Sequence, residues 1–521
     1  MTGRAVADFA IVGAGAAGCL IAARLAHALP EARILLIEAG SKRPGLLNAI
    51  PLLSGYAPFA RGVNWRHPAR HAGRDTLLYQ GRIFGGSSEI NGMVVSRGET
   101  RDYLSWADAA GPEWSFEACL DAFRRLEHST RGPSPLHGGD GPMAVRPIEP
   151  YGPLPHAFLA AAGEAGFPLV DDLNGAGGAR FGFTDVNIKG GRRHSASRAF
   201  LPECPANLTI LAGRSVERLD VVSGRVAALL LRYRGQEERI EITRECVLCA
   251  GAIGTTGILM RSGIGPAAML GSAGITPELD HPELGGNLQN HPSYLMRVPT
   301  HGGSLRGLLR PNRAVAAGLR WLGRRDGPLA QGLFQVAGYF PAGDDEAVAD
   351  AQLVLSPALF PLSAPGKPPL VPRRHGVSIA VQQGSPFSRG RVTIQASGRL
   401  AVDTGALSDP RDRAFMVSAV ARVQDILSRP AFRPHIADPG VFKTVDAGEI
   451  TCAIGTAYHM AGTARMGRDA QAVTDPKLRL RGLSGLRIAD ASVMPVIPNA
   501  ALHFPTMMIA QRASDFIIAD A

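Results

Sequence analysis

The sequence is poor in cysteine. Its six thiols, Cys19, Cys119, Cys204, Cys246, Cys249 and Cys452, are scattered along 521 residues. That excludes the disulfide-dense scaffold of small secreted domains. Cys246 and Cys249 form a CxxC, but they sit in an apolar run that reads as a strand. Residues three apart on a strand point to opposite faces, so the pair is expected to be small buried residues, not a redox couple. No uninterrupted apolar run reaches about 18 residues, so no membrane span is expected. Long blocks of one charge are missing too. The net charge is +10, yet arginines cluster only in pairs, at Arg192-Arg193, Arg324-Arg325 and Arg373-Arg374. Nothing interleaves basic and aromatic residues, so a solvated basic surface is expected and no nucleic-acid partner; such a surface also favours anionic cofactors or substrates. There is no internal repeat and no metal-ligand spacing, and Ser87-Ser88 lacks the frame of a hydrolase nucleophile. The start, Met1-Thr2-Gly3-Arg4, leads directly into Phe9-Ala10-Ile11-Val12. It reads as a strand and not as a secretion leader, so a reducing cytoplasm is the expected compartment.

What is abundant is glycine (62) and proline (39), spread without a period, in a chain long enough for two or more domains. The first glycines are organised. Asp8 to Val12 is a short apolar run, followed by Gly13-Ala14-Gly15-Ala16-Ala17-Gly18, a helical stretch to Leu29, and a second apolar run, Ile34 to Ile37, ending at Glu38. In this strand–turn–helix frame Gly13 permits the tight turn, Gly15 lets a pyrophosphate approach the backbone, and Gly18 lets the helix pack closely. The helix start offers unpaired N–H groups to phosphate. Glu38 is placed to accept hydrogen bonds from ribose hydroxyls. The pattern predicts a dinucleotide site without separating FAD from NAD.

The far end of the chain carries two histidines in tight frames, His459-Met-Ala-Gly-Thr and Asn499-Ala-Ala-Leu-His503-Phe-Pro-Thr506. Histidine exchanges protons near neutral pH, so two delivered to one place would remove a proton from an alcohol. Thr506 to Ala519 reads as a helix with Pro505 at its start, whose N-terminal dipole would stabilise negative charge nearby.

Between these ends lie Gln80-Gly-Arg-Ile-Phe-Gly85-Gly86-Ser87-Ser88-Glu-Ile-Asn91-Gly92-Met93-Val94, Gly251 to Gly265, Leu284-Gly-Gly-Asn-Leu-Gln-Asn-His291, Pro386-Phe-Ser-Arg-Gly390 and Leu407-Ser-Asp-Pro410. Together with the 459–506 block, in this order, they resemble the glucose–methanol–choline (GMC) family of FAD oxidoreductases over the whole chain. Phe84 and Thr256 depart from the two signatures at positions that carry no chemistry. Within the family the pattern is nearest to the bacterial oxidases of small aromatic alcohols, such as those acting on hydroxymethylfurfural and pyridoxine.

The resemblance implies an α/β fold: a Rossmann-like FAD-binding domain, discontinuous over 1–150, 192–290 and 452–521. A second, α+β substrate domain over 151–191 and 291–451 would be built on an antiparallel sheet that roofs the flavin. Stretches 332–340, 352–355 and 376–382 read as its strands. By resemblance Glu38 binds the adenosine ribose and Val216 pairs its backbone with adenine. Gly13 to Gly18 and Gly85 to Ser87 hold the pyrophosphate, and Asn91, Gly92, Met93 and Val94 lie beside the isoalloxazine. Asp490 and Ala491 line the ribityl and pyrophosphate, and Pro505 and Thr506 face the pyrimidine end. His459 is the expected general base and His503 its partner toward the substrate oxygen; His194 and His291 lie near motifs without a clear role. Tyr458, Phe334, Phe340 and Phe360 are candidates to line a substrate pocket. The expected reaction is oxidation of a primary, aromatic or furanic, alcohol by hydride transfer to FAD, with oxygen or another electron acceptor, in a monomer or homodimer. The alternatives are a cyanohydrin-type lyase that keeps FAD, a choline-type or aliphatic alcohol dehydrogenase, and a flavoprotein without catalysis.

Overall fold

The computed structural model describes residues 5–41, 44–175, 177–343, 345–360, 367 and 373–521. The N-terminal strand Ala5–Val12 pairs in parallel with Ile34–Glu38 on one side and with Gln236–Leu248 on the other. Leu208–Ala212 continues the parallel set beside Ile34–Glu38, and Leu486–Ile488 joins it beside Gln236–Leu248. Arg225–Tyr233 and Ser215–Val222 extend this seven-stranded sheet in antiparallel fashion. Ile34–Glu38 is buried at every position, as expected of a parallel strand covered on both faces. Helix Ala16–Ala28 packs on this sheet and against the C-terminal helix His503–Asp520.

The register fixes where the motifs go. Val12 is level with Ile37 and with Leu248, and Leu248 is level with Ile488. Gly13, Glu38, Gly251 and Asp490 therefore all emerge at one carboxyl edge of the parallel strands. That edge is where open α/β sheets bind ligands.

A second sheet has six antiparallel strands: Gly455–Thr456, Pro292–Pro299, Gly376–Gln383, Ala351–Ser356, Val336–Phe340 and Arg180–Phe183. Side chains alternate across it. Val298, Val336, Leu353, Leu355, Val377, Ile379 and Val381 pack with Phe415, Met416, Val420 and Val423 of helix Pro410–Ser428. The positions between them, Tyr339, Gln352, Ser356, Ser378 and Gln382, are buried and polar. The Tyr339 and Ser96 hydroxyls are 2.6 Å apart, and Asn499 donates from Nδ2 to the Ala349 carbonyl at 3.0 Å. The polar face thus sits over the 94–97 and 495–499 segments of the first sheet's side. A separate four-stranded sheet pairs Asn64–His71 and Arg74–Gly81 with Arg391–Ile394 and Leu400–Asp403. It joins chain segments from both expected domains.

Three local expectations are corrected. The strand expected over 332–340 begins only at Val336, because Leu333 and Phe334 leave the ladder to pack against Gly55 and Gly92. Phe340 points into the core of the second sheet, stacked with Phe181, and lines no pocket. The last helix starts at His503, before Pro505. A proline fits there because first-turn positions have no intrahelical N–H bond to lose. No helix among the described residues is long and apolar enough to cross a membrane.

Candidate active site

The nucleotide half of the site is built from main chain. Gly13 has φ +102°, and a Cβ there would lie 2.6 Å from the Cys249 carbonyl oxygen. A Cβ on Gly18 would lie 1.9 Å from the Gly13 oxygen, whereas above Gly15 nothing comes closer than 4.0 Å. The turn, the helix packing and the open approach thus fall on the three glycines as expected. Helix Ala16–Ala28 begins at Gly15 with no side-chain cap. The N–H groups of Ala16, Ala17 and Gly18 therefore remain available at a positive dipole end. Gly85 donates its N–H to the Ala14 carbonyl at 2.8 Å, and a Cβ on Gly86 would lie 2.6 Å from Gly15 Cα. The Gly85–Ser88 loop thus lies directly on the glycine turn, and the Ser87 hydroxyl accepts from Gly81 N–H at 3.0 Å.

Glu38 is buried and its carboxylate accepts from Ala14 N–H at 3.0 Å and Gly40 N–H at 2.7 Å. Burial pushes its pKa up to about 7, against these two bonds. Gly213 and Arg214 donate to the carbonyls of Gly40 and Glu38, which holds the start of Ser215–Val222, and Val216 with it, beside Glu38. The Asp490 carboxylate accepts from Gly251 N–H, the Thr255 hydroxyl and Ser492 N–H, at 2.8, 2.6 and 2.8 Å. It ties the second signature to the C-terminal block, while Ala491 accepts from Gly462 N–H at 3.0 Å.

Asn91 to Val94 run under the second sheet. Phe334 presses on Gly92, where a Cβ would come within 2.6 Å of its ring, and Met93 takes a left-handed φ of +64°. A residue outside the motifs holds this loop. Arg193 is buried and donates to Asn48 O, Ser88 O and Asn91 Oδ1 at 2.8, 3.0 and 2.6 Å.

The histidine half is built from side chains. Residues 287–291 stitch the 455–462 strip to the 490–498 strip. Gln289 Nε2 donates to Pro495 O at 3.1 Å, Gln289 Oε1 accepts from Ile497 N–H at 3.0 Å, and Asn290 Oδ1 accepts from His459 N–H at 2.9 Å. His291 lies against His459, with Nδ1 to Nδ1 at 2.9 Å and the rings edge to face. Its Nε2 is 3.1 Å from the Pro498 carbonyl. A carbonyl only accepts, so His291 carries its proton on Nε2. A neutral imidazole has one N–H, so His291 Nδ1 accepts and His459 Nδ1 donates. His459 Nε2 is left with a bare lone pair. Burial holds His459 down to about 4 and, as the largest cause, holds His291 well below its ordinary value. Both rings are therefore neutral at pH 7.

His503 sits in the first turn of the last helix, and both its ring nitrogens are buried without a hydrogen-bond partner. Burial, and then the charge of Arg193, lower its pKa to about 3. Pro505 is buried and Thr506 partly so, both within the uncapped first turn of that helix. Tyr458 has a φ of +62° and is 45% exposed, its ring 5.8 Å from that of Tyr79, which meets Phe59 at 5.4 Å. Phe360 packs in one apolar cluster with Phe334. His194 lies elsewhere, accepting from Ala144 N–H at 3.1 Å. Among the described residues no group of three or more His, Cys, Asp or Glu side chains could hold a metal.

An open glycine turn, an uncapped helix start and the unpartnered ring nitrogens of His503 fit a bound dinucleotide. A nucleotide cradle under a polar antiparallel roof defines a two-domain, dinucleotide-dependent oxidoreductase. Residues 7–293 and 386–510 match the two regions of the GMC oxidoreductase family, and the chain belongs to that family. It is an FAD-dependent enzyme acting on CH–OH donors. Over 98% of its length it is 31% identical to an alcohol dehydrogenase [acceptor] of Pseudomonas putida, covering 95% of that protein. It is 32% identical to an oxygen-dependent choline dehydrogenase of Vibrio vulnificus, with 98% and 94% covered. The pyridoxine 4-oxidase structure from Mesorbium loti superposes with a TM-score of 0.85 at 29% identity, covering 98% of both chains. A fungal aryl-alcohol oxidase, at 21% identity and a TM-score of 0.84 over 99% of both chains, shares the fold.

Proposed function

We propose that the chain oxidises a primary aromatic or furanic alcohol to its aldehyde, with His459 as general base. The observation that carries this reading is the bare Nε2 of His459, whose tautomer is set by His291 and the Pro498 carbonyl. Bound FAD supplies the hydride acceptor. His459 Nε2 takes the hydroxyl proton, and the low pKa keeps it unprotonated at neutral pH. His503 hydrogen-bonds the substrate oxygen and orients it, which satisfies a ring nitrogen otherwise buried and unpaired. The dinucleotide is held by the Ala16–Gly18 N–H groups, Glu38, Val216, the Gly85–Ser87 and Asn91–Val94 loops, Asp490, Ala491, Pro505 and Thr506. Phe334 over Gly92, and Tyr458 beside Tyr79, offer apolar faces to a planar ring. The similarity to pyridoxine 4-oxidase supports an aromatic alcohol, and that to choline dehydrogenases supports choline as the second reading.

The test is anaerobic mixing of the flavin-loaded enzyme with benzylic, furanic, pyridine-methanol and aliphatic alcohols and choline, followed by flavin absorbance. Fast bleaching by the aromatic and furanic members is expected. Bleaching by choline alone replaces the substrate class, and no bleaching by any alcohol sinks the oxidase reading in favour of a lyase. Reoxidation by oxygen and by a dye then identifies the electron acceptor.

A further inference from the structure

We infer that the helix Pro311–Arg324 is a docking surface for an anionic lipid membrane. Its side chains Val315, Leu319 and Leu322 are 61%, 65% and 60% exposed, and Leu309, just before it, is 44% exposed. Their i, i+4, i+7 spacing puts the three on one face. The helix is anchored from another side, where only Ala317 and Trp321 are buried. Trp321 donates from Nε1 to Gly191 O at 2.8 Å, and the Arg325 guanidinium lies 4.2 Å from its ring centre. At 100° per residue, the anchored side and the apolar stripe point about 150° apart. The apolar stripe therefore faces away from the protein that holds it.

The charge around this helix is mostly positive: its nearby acids are Asp326 and Glu149, both acting on Arg320. Between Glu283 and Asp326 the sequence has no acidic residue and carries Arg297, Arg306, Arg310, Arg313, Arg320, Arg324 and Arg325. Arg320 pairs with Asp326 at 2.6 Å, while Arg310, Arg313 and Arg324 are exposed and make no ion pair among the described residues. Arg313, Arg320 and Arg324 form one row, about 150° from the apolar stripe and about 60° from the anchored side, on the polar half of the helix. An exposed apolar stripe with arginines on the polar side is the pattern of a helix lying in a membrane interface. Negative headgroups complement the arginines, and acyl chains cover the stripe. A second copy fits less well. A two-fold contact through this helix would bring two arginine-rich surfaces together, with the nearby acids Asp326 and Glu149 already engaged with Arg320.

The test uses the full flavin-loaded chain, sedimented with phosphatidylcholine vesicles with and without phosphatidylglycerol. The wild type is expected to co-sediment with the phosphatidylglycerol vesicles at low salt, and about tenfold less at high salt. Leu319→Glu should abolish this binding and Arg313→Glu/Arg324→Glu should weaken it about tenfold. Both variants change exposed positions, so an unchanged flavin spectrum verifies their fold. No binding of the wild type to phosphatidylglycerol vesicles, equal binding to both vesicle types, or undiminished binding by Leu319→Glu overturns the inference. So does light scattering that shows a dimer split by Leu319→Glu while vesicles stay unbound, which assigns the stripe to a second copy.

Discussion

At the carboxyl edge of the parallel sheet the site is made of backbone: three glycines, an uncapped helix start and a loop lying on the turn. Beneath the antiparallel sheet it is made of side chains: three histidines, one wired to a carbonyl and one with unpaired ring nitrogens. At Gly13, Gly18 and Gly86 the first half tolerates no added atom, because the nearest neighbours there are main chain. The second half is set by proton positions, so graded changes there should give graded losses. Substitution can break or sharpen this contrast.

The largest effect is expected from Gly18→Ala. Its Cβ would fall 1.9 Å from the Gly13 carbonyl oxygen, and main chain on both sides cannot yield. Purified protein should carry no flavin absorbance and show no turnover. Retention of flavin near one per chain would show that the cradle relaxes, and the contrast would fail.

Next is His459→Ala, which should lower kcat by about 10²–10⁴-fold, the span of a general base, with flavin content unchanged. A loss of flavin instead would place His459 in the cradle. His503→Ala should cost less, about 10–100-fold, the effect of one lost hydrogen bond to a buried partner. His503→Asn should recover part of it, since an amide can still donate to the substrate oxygen. Rapid-reaction rates of flavin bleaching separate these effects from product release.

The pH profile sharpens the side-chain half. A base works unprotonated, and burial holds the pKa of His459 down to about 4. kcat/KM should therefore be flat near neutral pH and fall on the acid side, with a midpoint below the ordinary histidine value of about 6.5. A midpoint at or above that value would mean that the group is not held in this buried form.

The two halves also differ in how far the sequence reveals them. Gly13, Gly15, Gly18 and Glu38 are readable because their spacing is local and each glycine has its own mechanical duty. The parallel register then carries Gly251 and Asp490 to the same edge, as the family resemblance implies. His291 is not legible in the sequence, because a lone buried histidine is usually a satisfied core residue and its partner lies 168 positions away. Arg193 reads as half of a surface pair and is instead a buried clamp on Ser88 and Asn91. Phe334 and Phe340 look alike in one apolar stretch. They diverge because the strand begins at Val336, and that start depends on Leu333 and Phe334 finding Gly55 and Gly92, which no local pattern encodes.

The smallest effect is the most diagnostic. His291 touches neither alcohol nor flavin in the proposed reaction and acts only as a positioning residue for His459. His291→Phe would leave the Nδ1–H of His459 without its acceptor, freeing the proton to sit on Nε2 in part of the molecules. The expected loss in kcat is about 2–10-fold, the net worth of one hydrogen bond, with KM and flavin content unchanged. The acid limb should also move to lower pH. A protonated His459 gains more from an acceptor than a neutral one does, because charge-assisted bonds are stronger, so removing the acceptor favours the neutral form. His291→Asn can accept from His459 and donate to Pro498, and should restore both rate and limb. A merely structural role for His291 would lower the rate without moving the limb, and asparagine would not rescue it.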